Sequence, residues 1–311
     1  YALLGLGYLK EAVDFMGYLE QVCLADEEDI QIMYGIRGER KLVEKKLTHL
    51  NGYGNSKPVR IGNEAYKQKQ FDVYGETLIT INLFVQSGGK LNNEMKGFVI
   101  KLVQKCITSW TEKDASIWEP RDGYQHFTYS KLMCWAGVDR GIKLANKLKL
   151  QVDRNLWEKT REEISMSILT EGFNPNLGAF AQTFGSQTLD SSSFMIPILG
   201  FLPSTDTRVA ANFDTTSTHL NRNWFVYRSD DQKDKLKQGE GAFFLSTFWA
   251  IDNLSTAGRV KEAKIWLEKM TAIATPLGLY AEMYDPIVKE HLGNFPQAFT
   301  HLGLINSVLN L

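Results

Sequence analysis

Two short acidic motifs carry the residue types best suited to chemistry. Ile117-Trp118-Glu119-Pro120-Arg121 and Leu279-Tyr280-Ala281-Glu282-Met283-Tyr284-Asp285 each set a glutamate among aromatic rings, and the two glutamates lie about 160 residues apart. A pair of carboxylates is the minimum equipment for cleaving a glycosidic bond. One protonates the leaving oxygen, and the other activates water or attacks the sugar. Glu119 suits the acid role, because Trp118 and Pro120 would shield it from water, and shielding favours a carboxyl that keeps its proton. Arg121, if turned inward, opposes that effect. Glu282 suits the base role, with Tyr284 two residues on to hold a sugar or a water. Taken alone, each glutamate reads more readily as a solvated loop residue than as a catalytic one. Asp72, Glu76 and Glu240 are competing carboxylates. Asp72 and Glu76 stand one helical turn apart on a shared face, a pattern that fits packing. Arg228, after Tyr227, could grip hydroxyl groups or pair with Asp230 and Asp231.

The elements that must position these residues read as helical hairpins, with almost no period-2 strand pattern. The predicted pairs are 2–7 with 11–24, 63–86 with 92–111, 127–148 with 154–169, 188–199 with 206–219 and 241–254 with 260–275. A last helix is predicted over 296–309. First helices recurring at this period signal stacked hairpins. Leu3–Ala12 and Leu254–Ala263 are similar directly: a small residue and Gly end one helix, and Lys-Glu-Ala opens the next. Turns within pairs are short, whereas connections between pairs are long, and long loops in compact domains are usually functional. Those loops carry Tyr34, Trp118, Glu119, Trp224, Tyr227, Arg228, Tyr280, Glu282 and Tyr284. The expectation is an all-α barrel with an aromatic, polar mouth at its long-loop end. An open solenoid is the alternative.

With 35 basic and 36 acidic residues among 311, the chain offers no electrostatic reason to bind nucleic acid or an anionic membrane. Its three cysteines make no disulfide framework and favour a cytoplasmic setting. His126, His291 and His301 lack zinc spacing, and no metal or organic cofactor is expected. Gly239-Glu240-Gly241 lacks phosphate-loop spacing, and Ser130-Lys131 lacks the Ser-x-x-Lys spacing of acyl-transfer enzymes.

Several ordered motifs run the length of the chain. They are Met33-Tyr34-Gly35-Ile36-Arg37-Gly38-Glu39, Pro58-Val59-Arg60-Ile61-Gly62-Asn63 and Phe71-Asp72-Val73-Tyr74-Gly75-Glu76. Further on stand Ile117-Trp118-Glu119, the stretch from His126 to Trp135, Gly239-Glu240-Gly241-Ala242-Phe243, Glu282-Met283-Tyr284-Asp285 and Gly293-Asn294-Phe295-Pro296-Gln297-Ala298-Phe299. On these residues the chain resembles glycoside hydrolase family 15, the glucoamylases, glucodextranases and bacterial trehalases. The resemblance implies an (α/α)6 barrel over residues 1–311 and an inverting mechanism. It implies Glu119 as general acid, Glu282 as general base, and Trp118, Arg228, Tyr284, Tyr34 and Arg60 as substrate-binding residues. The implied substrate is an oligo- or disaccharide, cleaved at an α-glucosidic bond from the non-reducing end to release glucose, with trehalose as the alternative. Inversion would set the carboxyl groups about 6.5–9.5 Å apart. Pro120 departs from fungal members, which carry an acidic residue there. Bacterial members usually carry an upstream β-sandwich, family members carry a Trp-x-Arg-Asp segment, and Tyr1 is expected to enter the first barrel helix after both. The reading without chemistry is a helical-repeat or degenerate carbohydrate-binding protein.

Overall fold

The computed structural model describes residues 1–24, 29–120, 123–230 and 241–311. Arg121, Asp231 and Glu240 lie outside the described residues. In chain order the helices are α1 (Ala2–Gly5), α2 (Leu9–Leu24), α3 (Asp72–Gln86), α4 (Asn93–Ser109), α5 (Thr128–Leu148) and α6 (Arg154–Ser167). They continue with α7 (Met195–Ile198), α8 (Thr207–Leu220), α9 (Phe244–Thr256), α10 (Val260–Thr271) and α11 (Ala298–Leu309). The chain divides into two compact units, one of Leu9–Arg161 and one of Tyr1–Tyr8 with Glu162–Leu311. Among the described residues no helix is long and apolar enough to cross a membrane.

In the Leu9–Arg161 unit, α5 is the central helix and packs on α3 and α4. Its contact side is almost wholly buried, with Leu132, Met133, Cys134, Ala136, Val138 and Leu144 essentially inaccessible. Glycine permits the closest approach: a Cβ on Gly75 of α3 would stand 2.3 Å from the Met133 carbonyl oxygen. In the other unit, α9 packs on α10 and α11, with Phe248, Ala250, Ile251 and Leu254 buried along it.

The predicted hairpin repeat appears as one recurring hydrogen-bond pattern. Tyr8 N–H donates to the Leu3 carbonyl, Gly89 to Phe84, Leu150 to Ala145, Phe201 to Ile196 and Arg259 to Leu254. Each is the six-residue bond of a Schellman turn, and each turn needs one left-handed residue. Gly7, Gly88, Gly200 and Gly258 fill that position in four turns, but Lys149 fills it in the fifth at φ +56°.

Two predicted helices are corrected. The 63–86 segment is helical only from Asp72, after a 3-10 turn at Glu64–Lys67. The stretch between is kept out of the helix because the Lys69 carbonyl accepts from Ala115 N–H and Phe71 N–H donates to Asp114 Oδ2. The 188–199 segment begins as bridge-forming backbone at Leu189 and Asp190 and turns helical only at Ser191. The long loops, read as strand-poor, hold small antiparallel ribbons. These are β1 (Lys45–Lys46) with β2 (Arg60–Ile61), β3 (Phe173–Asn174) with β4 (Ala179–Phe180), and β5 (Asn221–Arg222) with β6 (Phe225–Val226). A three-stranded sheet joins β7 (Ala242–Phe243), β8 (Met283–Asp285) and β9 (Glu290–Leu292), with β8 central. The alternation is too short, at two or three residues per strand, to register as a period.

Lys149→Gly should stabilise the protein by about 1 kcal/mol, because glycine removes the left-handed penalty of roughly 1–2 kcal/mol at a small cost in unfolded-state entropy. Urea denaturation measures it. Loss of stability would show that the lysine side chain contributes more than its backbone costs.

Candidate functional site

Glu282 immediately precedes β8, and the backbone of Tyr280, Ala281 and Glu282 is paired completely. Tyr280 N–H donates to His301 Nε2, and its carbonyl accepts from Gln297 N–H. Ala281 N–H donates to His291 Nδ1, and its carbonyl accepts from the Thr300 hydroxyl. Glu282 N–H donates to the Asn294 carbonyl at 2.9 Å, and its own carbonyl accepts from Phe244 N–H. His291 faces the Ile273 carbonyl with Nε2 at 2.9 Å, so its partners place the proton on Nε2 and the acceptor on Nδ1. His291 and His301 thus clamp one loop.

The Glu282 carboxylate is held as firmly. Its Oε2 accepts from Asn294 N–H at 3.1 Å and from Asn294 Nδ2 at 3.0 Å. Gly293, at φ +79°, makes room, since a Cβ there would lie 2.8 Å from Oε2. Tyr284 is buried, its ring stacked on Phe225 at 4.7 Å between centroids and flanked by Phe244 and His291. Arg228, half-buried, lies over the Phe243 ring at 5.9 Å.

Glu119 belongs to the other unit. The loop that carries it is fastened to the segment ahead of α3. Asp114 and Gln125 pair backbone to backbone, Ala115 N–H reaches the Lys69 carbonyl, and Gln68 Nε2 donates to the Pro120 carbonyl. Lys131, buried at the start of α5, donates to the Glu112 carbonyl and lies over the Phe71 ring. Ser130-Lys131, dismissed as catalytic on spacing, therefore braces this loop. Glu119 takes a left-handed backbone at φ +54°, an uncommon conformation that surrounding contacts must impose. Its Oε2 accepts from Asn63 Nδ2 at 3.0 Å. Trp118 and Glu119 are both half-buried.

Asp72 stands nearby at the start of α3, 7% exposed, with Oδ1 meeting no hydrogen-bond partner. Burial, then the charges of Asp114, Glu76 and Glu119, push its carboxyl up to about 8. Glu76 accepts from the Tyr129 hydroxyl at 3.1 Å. Tyr34 and Arg60, expected to touch substrate, both have partners within their own segments. The Tyr34 hydroxyl accepts from Gln31 N–H at 2.8 Å and from Arg40, and Arg60 pairs with Glu44 at 3.1 Å across β1 and β2. A surface hollow of about 450 Å³ in the unit of Glu282 contains none of the candidate residues, and its Arg259 is paired with Asp214 and Glu262. Among the described residues no group of three histidine, cysteine or acidic side chains is placed to hold a metal.

Asn63 and Asn294 were missed as site residues, although both stand in quoted motifs. Their signal was the Gly-Asn pair, present at Gly62-Asn63 and again at Gly293-Asn294.

The family model for Glycosyl hydrolases family 15 matches residues 1–309. The chain belongs to that family. It is 39% identical to the trehalase of Mycolicibacterium smegmatis over 316 aligned residues, covering all of this chain and 47% of that protein. The chain thus spans about half the length of the curated relatives it matches. A glycosidase solved in complex with glucose has a TM-score of 0.69 at 17% identity, covering 82% of this chain and 72% of its own. The glucoamylase of Hormoconis resinae has a TM-score of 0.62 at 12% identity, covering 78% and 53%. These likenesses are of fold, and the fold class is the all-α, (α/α)6-barrel type that the family resemblance implies.

Asp72 gives a pH signature. Its carboxyl is raised in the folded state, so the folded protein binds a proton that the unfolded chain has lost, and stability falls as pH rises from about 4 to about 8. Asp72→Asn removes that term. The stability of the variant relative to wild type should therefore grow across this window and level off above it. Thermal melts at several pH values test this, and a constant difference would contradict it.

Proposed function

We propose that the whole protein hydrolyses α,α-trehalose to glucose with inversion. Glu119 donates a proton to the glycosidic oxygen as the bond to the anomeric carbon breaks. Glu282 takes a proton from the water that attacks that carbon from the opposite face. The products are two glucose molecules, and each glutamate must be reset by proton exchange before the next turnover. Trp118 offers a flat face to a sugar ring and Arg228 a cation to its hydroxyls, while Tyr284 shapes the wall beside Glu282. Tyr34 and Arg60 act as loop braces in this reading.

The observation that carries the proposal is the constraint on Glu282. A carboxylate with every adjacent backbone group paired, and one oxygen fixed by two donors, costs side-chain freedom that an ordinary surface glutamate keeps. The identity to a curated trehalase supports trehalose as substrate over the ends of longer α-glucans. Exo-hydrolysis of α-glucans in the manner of a glucoamylase is the second reading, resting on the family to which the chain belongs.

The test is release of glucose by the full-length protein from trehalose, maltotriose and isomaltose. Trehalose should be strongly preferred. Glu119→Gln and Glu282→Gln should each lower kcat about 10²–10⁴-fold, the usual contribution of a general acid or base, with melting unchanged. Preference for maltotriose would select the glucoamylase reading, and near-normal turnover by either variant would remove that glutamate from the mechanism.

A further inference from the structure

We infer that Asn63 and Asn294 are positioning residues that select which oxygen of each catalytic carboxylate handles the proton. The inference rests on the acid and base roles given to Glu119 and Glu282 above.

Asn63 has only one way to lie. Its Oδ1 accepts from Ala65 N–H at 2.9 Å, capping the 3-10 turn at Glu64–Lys67. The other end of the amide, Nδ2, therefore faces Glu119 Oε2 at 3.0 Å. An amide N–H donates and cannot accept. Glu119 Oε2 is thus held as an acceptor, and the transferable proton of the acid resides on Oε1. At Glu282 the same logic applies with two donors: Asn294 N–H and Nδ2 both converge on Oε2. Oε1 is left to take the proton of the attacking water. At Glu282, which is ionised as the base, hydrogen bonds to the carboxylate are stronger than neutral ones, so they fix orientation as well as identity.

Both asparagines follow a glycine that no other residue could replace without strain. Gly62 has φ +71°, and a Cβ there would lie 2.3 Å from the Val43 carbonyl oxygen. Gly293 has φ +79°, and its Cβ would meet Glu282 Oε2 itself. The two glutamates, far apart in sequence, are thus tethered by one device: a left-handed glycine, then an asparagine, then a bond to a single carboxylate oxygen.

A tether on the acid and a tether on the base fail differently. Loss of acid positioning matters for an alcohol leaving group, which needs a proton, and much less for fluoride, which departs with little protonation. Loss of base positioning slows water attack on both substrates. The experiment compares trehalose with α-glucosyl fluoride as substrates of the full-length protein. Asn63→Ala should lower kcat about 10-fold or more on trehalose and less than about 3-fold on the fluoride, with KM little changed. Asn294→Ala should lower kcat on both by a similar factor, about 10-fold. Asn63→Ser keeps an uncharged oxygen that can cap Ala65 N–H and loses the amide that reaches Glu119, so it tests the tether if the alanine variant fails to fold. It should show the same selective loss. Glu119→Gln is the reference and should show the selective loss in stronger form. If it does, and the Asn63 variants slow both substrates equally or neither, the positioning role is overturned while the acid assignment stands. If Glu119→Gln itself slows both equally, the acid assignment falls and the tether role with it.

Discussion

Restraint of a carboxylate by one of its two oxygens is the interaction on which the candidate site depends. A free glutamate samples many rotamers, and ordering it costs conformational entropy that something must offset. At Glu282 the offset is built into the backbone. All six peptide groups from Tyr280 to Glu282 have partners, drawn from the 291–300 segment, from His301 and from the start of α9. The central strand β8, the buried Tyr284 stack and the two histidine clamps all serve to make that stretch immobile. Only then does a pair of bonds from Asn294 define the direction of the carboxylate rather than follow it.

Glu119 reaches a similar end by a different route. Its backbone occupies the left-handed region, which a non-glycine residue adopts at a cost of about 1–3 kcal/mol and keeps only when its surroundings over-determine it. The surroundings here are the Asp114–Gln125 bridge, the Gln68 and Lys69 contacts and the buried Lys131 under the loop. Asp72 adds a second stored cost, a buried carboxyl driven to its neutral form. Both penalties sit within one loop and the helix start beside it, and packing of α3 on α5 through Gly75 supplies the rigidity that sustains them.

The hairpin repeat was legible because its signal is local. A new helix start follows each turn, and four of the five turns have glycine where left-handed backbone is needed. Lys149 hides the fifth, and there the periodicity of the flanking helices carried the reading. Helix starts at Asp72 and Ser191 fall later than the local pattern suggests because Phe71 and Asp190, just ahead of them, bond to partners more than 30 residues away, which no local pattern reports. The two glutamates were legible by residue type and motif. Their tethers were not, because a hydrogen bond from Asn63 to Glu119 spans 56 residues and a Gly-Asn pair is as common in plain turns. Tyr34 and Arg60 have partners within their own loops that residue type does not report.

The central claim is that Glu119 and Glu282 act on opposite faces of an anomeric carbon, one as acid and one as base. Stereochemistry reports this directly. Proton NMR of the first glucose released from α,α-trehalose by the full-length protein should show α- and β-glucose in equal amounts, ahead of their mutarotation. One half keeps its configuration as the leaving group, and the other is inverted by water. Appearance of α-glucose alone would mean retention through a covalent intermediate and would contradict the account.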